Sequence, residues 1–92
     1  MRQDSQSIAD AVRSVLIATL GISTSRAEAF DTDTPLFGAL PELDSMAVAT
    51  VLTEIEDRLH IVIDDDDIDA ETFETFGNLV AFTQGKIDRR DS

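Results

Sequence analysis

Leu40-Pro41-Glu42-Leu43-Asp44-Ser45-Met46 closes an irregular stretch and opens the strongest amphipathic pattern in the chain. Pro41 and Glu42 hold the backbone out of regular structure just before Asp44. Asp44 is a good helix cap, because its carboxylate can accept from the orphan N–H groups of the first turn. Ser45 is then the first helical residue, with its hydroxyl beside the positive end of the helix dipole. An exposed hydroxyl at that place is well sited to carry a phosphate ester, since N–H groups and dipole both favour negative charge there.

From Ser45 the pattern runs to Leu59. Val48, Val51, Leu52, Ile55 and Leu59 form a continuous apolar stripe, which predicts a helix over 45–59 with that stripe in the core. Met46, Thr50, Thr53 and Asp57 lie opposite, joined by Ala47 and Glu54. Met46 is apolar yet off the stripe. A lone exposed Met is ordinary. Beside a modification site, an adaptable apolar side chain also suits a partner contact.

Upstream, Ile8, Val12, Val15, Leu16 and Leu20 repeat at helical spacing, so residues 5–20 form a helix capped by Asp4 or Ser5 and ended at Gly21. Thr19 is the one polar member of that face, and Gln6, Asp10 and Arg13 fall on other faces. Residues 21–43 make a long connection, pinned by Ile22, Phe30, Leu36, Phe37 and Leu40. A turn of helix is expected near 36–39, with a further half-turn within 25–30. Downstream, His60 ends the helix and Ile61 and Ile63 point inward from an extended piece. Asp66 or Asp67 caps a short third helix over about 66–71, anchored by Ile68. Phe73 closes over the core. Thr75 starts a fourth helix over 76–85, with Phe76, Leu79, Val80 and Thr83 on one face and Phe82 beside it. Gly85 ends it, leaving a tail ordered at most through Ile87. The expectation is an all-α fold: a small four-helix bundle, three helices long and one short, with a long loop between the first two. One domain covers 1–92, with an ordered core of about 5–87 and a flexible tail at 88–92.

The totals narrow the chemistry. The chain has 92 residues and no cysteine, so it has no disulfide, no thiolate metal site and no thiol nucleophile of its own. Its aromatics are five Phe, so the core is mostly aliphatic. No apolar run approaches the ~20 residues of a membrane span. Met1 to Ser7 contains an acid and leads into no apolar run, so no signal peptide is read and a cytoplasmic, monomeric protein is expected. Nineteen acidic residues face seven basic ones, for a net charge of −12. Residues 41–76 hold twelve of the acids and a single base, Arg58. Nucleic acid and anionic membranes are disfavoured as partners, and basic protein patches are favoured. Acidity as a mere solubility device would explain the total but not its concentration in one segment.

Rival sites fail on spacing. Asp64-Asp65-Asp66-Asp67-x-Asp69 lacks the glycine and closing glutamate of a calcium loop, and reads as a solvated acidic run capping the short helix. His60 stands at the far end of the helix that Ser45 begins, ~20 Å away at ~1.5 Å per residue, so no Ser-His pair forms. No catalytic residue and no metal ligand set is assigned.

Asp44-Ser45-Met46, the acidic helix behind it, Ile61-x-Ile63 followed by acids, and Phe73-x-Thr75-Phe76-Gly77-x-Leu79-Val80 together resemble the acyl carrier protein family, the phosphopantetheine-binding carrier domains. The resemblance covers about residues 7 to 87. It implies that Ser45 receives 4′-phosphopantetheine from coenzyme A through a separate, magnesium-using phosphopantetheinyl transferase, which also recognises Asp44. The thiol of the arm would then hold an acyl group as a thioester, so the reactive thiol is imported into a cysteine-free chain. Burying an eight-carbon chain between helices would gain roughly 6 kcal/mol at ~0.8 per methylene. The family commonly has Gly three residues before the serine; here Glu42 stands there, making the loop less permissive.

The expected partner face is Met46, Ala47, Thr50, Thr53, Glu54 and Asp57, meeting acyl-loading and acyl-transfer enzymes with basic docking patches. Carriers of general fatty-acid synthesis have acids just after the serine. Here those turns are neutral and the acids come later, which points to a specialised lipid or polyketide-like pathway. The wording Pro-Glu-Leu-Asp-Ser-Met is similar to carriers associated with bacterial exosortase and exopolysaccharide gene sets. Three other readings stay open on the residues: an aminoacyl or peptidyl carrier, an unmodified acidic interaction module, and an acidic calcium buffer.

Overall fold

The structure is a computed structural model that describes residues 5–90. Four α-helices occur in it: α1 (Ser5–Leu20), α2 (Thr24–Glu28), α3 (Ser45–Leu59) and α4 (Phe76–Arg90), with a single 3₁₀ turn at Asp65–Asp67. α1 is the element against which α2, α3 and α4 all pack. Its stripe explains why: Ile8, Val12, Val15 and Leu16 are fully buried, while Leu20 is half-buried at the edge. Gly21 ends the helix in the left-handed region, at φ 70°, and its N–H reaches Ile17 O at 3.0 Å. Asp4, one candidate cap for α1, lies outside the described residues.

The expected half-turn within 25–30 is a short helix, α2. Ser23 caps it, its hydroxyl accepting from Arg26 N at 3.1 Å. The turn near 36–39 is hydrogen-bonded, with Ala39 N and Leu40 N both donating to Leu36 O, but it is not a helix. Ile22, Phe30, Leu36 and Leu40 pin the connection as expected; Phe37 does not, being 54% exposed. The cause is a backbone pairing. Leu36 N donates to Glu74 O and Phe37 N to Phe73 O, with Pro35 and Thr75 bridged beside them. These bonds hold Phe37 at the start of the turn over 37–39, with Leu36 buried and the Phe37 side chain outward. Phe76 N to Thr34 O and Gly77 N to Thr32 O continue the seam.

Two further expectations are corrected. The helix over 66–71 is replaced by the 3₁₀ turn and a run of turns over 70–74. Asp69 is responsible: its carboxylate accepts from Glu71 N, Thr72 N and the Thr72 hydroxyl, an Asx-type arrangement that competes with helix. α4 begins where Thr75 predicts, with the Thr75 hydroxyl accepting from Asn78 N at 3.1 Å, but Gly85 does not end it. A buried Ile87 and the Lys86–Asp67 ion pair anchor the extra turns, and that packing outweighs glycine's modest helix penalty.

Candidate functional site

α3 starts where its cap dictates. Asp44 is extended (φ −99°, ψ −175°), and its carboxylate accepts from Ala47 N at 2.8 Å. Val48 N takes Asp44 O at 2.9 Å, the first helical bond. Ser45 and Met46 lead the helix, so their N–H groups have no intrahelical acceptor. Ser45 itself is exposed. The positive end of a fifteen-residue helix therefore lies beside an accessible hydroxyl.

The loop reaching Ser45 is held on both sides. Leu40 and Leu43 are buried beneath it. Glu42, three residues before Ser45, is bound to Arg26 of α2 at 2.7 Å. That hydrogen bond holds the Glu42 carboxyl below its usual range, helped by its own backbone amide, and raises the Arg26 guanidinium. Glu42 thus replaces a flexible glycine with a tether.

Below Ser45 a groove of about 420 Å³ is lined by Ser45, Val48, Ala49, Leu52, Thr53, Glu56, Ile63 and Ile68. Val48 and Leu52, placed with the core by the sequence pattern, are only half-buried and form its apolar wall. Across from them stand Ile63 and Ile68. The role of Glu56 was not visible in sequence: Oε2 accepts from Ile63 N at 2.7 Å, joining α3 to the following segment. His60, the C-cap of α3, is left-handed at φ 55° and exposed.

The outer face of α3 is uncharged next to Ser45 and acidic further along. Met46 is 82% exposed, and Thr50, Thr53 and Asp57 are exposed too. Ala47 and Glu54 are half-buried, so they form its margins. The Thr50 and Thr53 hydroxyls turn back onto Met46 O and Ala49 O, so their donors are satisfied within the helix. The acidic run at 64–69 works locally. Asp67 pairs with Lys86 and accepts from Asp64 N, and Lys86 holds the Asp67 carboxyl below its usual range. Among the described residues no group of His, Asp and Glu is arranged to hold a metal ion.

A helical bundle with a capped, exposed serine at a helix start, beside a groove walled in part by Val48, Leu52, Ile63 and Ile68, fits a small carrier domain. The comparisons agree. Residues 10–83 match the family described as the phosphopantetheine attachment site, and the chain belongs to that family. It is similar to the solution NMR structure of a holo acyl carrier protein from Nitrosomonas europaea, with 40% identity and a TM-score of 0.79, over 87% of this chain and 95% of that one. No curated protein matched the chain. The structural match likewise places the chain in the acyl carrier protein family, whose cofactor is covalent 4′-phosphopantetheine. No described helix is long and apolar enough to cross a membrane.

Proposed function

We propose that Ser45 is the attachment residue and that the domain carries acyl groups between partner enzymes of a specialised lipid or polyketide-like pathway. The observation that carries this is the exposed Ser45 at the capped start of α3, at the mouth of the groove. In the loading step the Ser45 hydroxyl forms a phosphodiester with the phosphopantetheine phosphorus of coenzyme A, its proton leaves, and adenosine 3′,5′-bisphosphate departs. The chain provides the nucleophilic oxygen and its placement. Asp44 is occupied in capping, and His60 lies at the other end of α3, ~22 Å along the axis. The base therefore comes from the transferase, and the electrophile is the phosphorus of coenzyme A. Once attached, the arm supplies the thiol that holds cargo as a thioester.

Met46, Ala47, Thr50 and Thr53 offer partners an uncharged contact next to Ser45, and Glu54 and Asp57 add acids further along. That order fits an enzyme surface with an apolar centre and a basic rim. Strong net acidity favours acyl over aminoacyl cargo, and the cytoplasm is the expected location. Intact-mass measurement after incubation with coenzyme A and a phosphopantetheinyl transferase tests the reading. Wild type should gain one phosphopantetheine and Ser45→Ala none. Equal gain by both would reject Ser45. No gain by either would favour the unmodified acidic interaction module.

A further inference from the structure

The groove below Ser45 has an end, and Glu56 makes it. Val48, Leu52 and Glu56 follow Ser45 along one side of α3, and Glu56 is the last α3 residue in the lining. At 1.5 Å per residue it stands about 16 Å along the axis from Ser45. Ile63 forms the opposite wall, and its N–H donates to Glu56 Oε2 at 2.7 Å. The carboxyl group is therefore fixed across the end of the groove. Glu56 and Ile63 are both half-buried, and no ion pair neutralises Glu56 among the described residues.

A groove with apolar side chains at Val48, Leu52, Ile63 and Ile68 and a fixed carboxyl group at its far end discriminates by length. Each methylene placed against Val48, Leu52, Ile63 and Ile68 favours the sheltered state by a factor of about four. A chain pushed against Glu56 instead strips water from a polar group and returns no hydrogen bond. We infer that Glu56 is a specificity-determining residue that sets the longest alkyl cargo the groove shelters. Chains ending short of it are held, and longer ones extend into solvent or leave. The inference rests on attachment at Ser45.

The test uses holo protein loaded with saturated acyl thioesters of increasing length. Two quantities are followed: the thermal midpoint, and the methyl NMR shifts of Leu52, Ile63 and Ile68. In wild type the midpoint should rise with chain length and then level off. Glu56→Gln keeps an oxygen to accept from Ile63 N–H but removes the charge, and its plateau should move to longer chains. Glu56→Leu should move it further; Glu56→Gln covers the case in which losing the Ile63 bond unfolds the leucine variant. The same plateau in wild type and Glu56→Gln overturns the inference and leaves the carrier reading intact, as would shifts that never reach Ile63 and Ile68. A Ser45 that accepts no arm, seen by intact mass before any cargo is loaded, overturns both.

Discussion

The Arg26 guanidinium and the Glu42 carboxylate meet at 2.7 Å across sixteen residues of chain, and so tie α2 to the loop that delivers Ser45. Glu42 Oε2 takes the bond, while Oε1 is shielded with no partner. Arg26 thus does two things: it fixes the loop, and it compensates a carboxylate that has lost part of its water.

The pair has a pH signature. Glu42 is held below the ordinary carboxylate value of roughly 4, first by the Arg26 hydrogen bond. A depressed carboxylate stabilises the fold fully above its unfolded value, and the contribution is lost as pH falls through the lower folded one. Protonation also relieves repulsion in a chain of net charge −12, so the variant difference is the cleaner quantity. Thermal midpoints of wild type and Arg26→Gln should differ near neutral pH and converge as pH drops below about 4. Because Arg26 is exposed and Glu42 remains partly in water, the gap should be small and shrink in salt. A gap that persists at low pH would assign Arg26's effect to packing.

Asp44 is the sharper case of local chemistry. Its carboxylate takes one of the orphan donors of α3, Ala47 N. Asp44→Ala should cost about 0.5–2 kcal/mol in urea unfolding, and Asp44→Asn distinctly less, because asparagine also caps. If cap geometry sets the presentation of Ser45, Asp44→Ala should slow its modification and Asp44→Asn should slow it far less. An alanine variant as stable as wild type would mean that tertiary packing alone holds the first turn.

These features show what could be read in advance. The bounds of α1 and α3, the Asp44 cap and the exposure of Ser45 and Met46 were legible because caps and apolar stripes are local in sequence. The tether from Glu42 to Arg26 and the bond from Glu56 to Ile63 were not, since each depends on how separate segments dock. Phe37 misled for the same reason: its outward direction follows from pairing with Phe73, thirty-six residues on. The Asp69 carboxylate reads in sequence only as part of a solvated acidic run, and its bonds to Glu71 N and Thr72 N replace the helix expected over 66–71 with turns. Arg13, placed on a face away from the core stripe, is in fact a joint. It donates to Ala27 O and Phe30 O and stacks over Phe76 at 4.9 Å.

Met46 tests the outer face apart from the fold. It is 82% exposed, so Met46→Glu should leave the unfolding midpoint nearly unchanged. The same change puts a charge where an apolar contact is expected, and should lower the rate of transferase or acyl-transfer reactions. Unchanged rates with every partner would remove Met46 from the docking surface. A large loss of stability would show instead that it packs.

Two glycines of α4 should answer alanine substitution with opposite signs. A Cβ on Gly77 would sit 2.5 Å from Thr32 Cγ2 and 2.6 Å from Thr32 O, the oxygen its own N–H bonds at 3.0 Å. Backbone must move to admit it, so the seam between the long loop and α4 would open. A Cβ on Gly85 meets nothing within 4 Å, and the residue is helical with no positive φ. There alanine reduces the freedom of the unfolded chain and should add about 0.4–1 kcal/mol. Urea unfolding should therefore show Gly77→Ala destabilised, despite alanine's better helix propensity, and Gly85→Ala stabilised. If Gly85→Ala gave no gain, the turns beyond Gly85 would not be formed in solution, and Ile87 and Lys86 would not be holding them. If Gly77→Ala were neutral, Thr32 would be free to shift, and the close approach would not be what fixes the loop on α4.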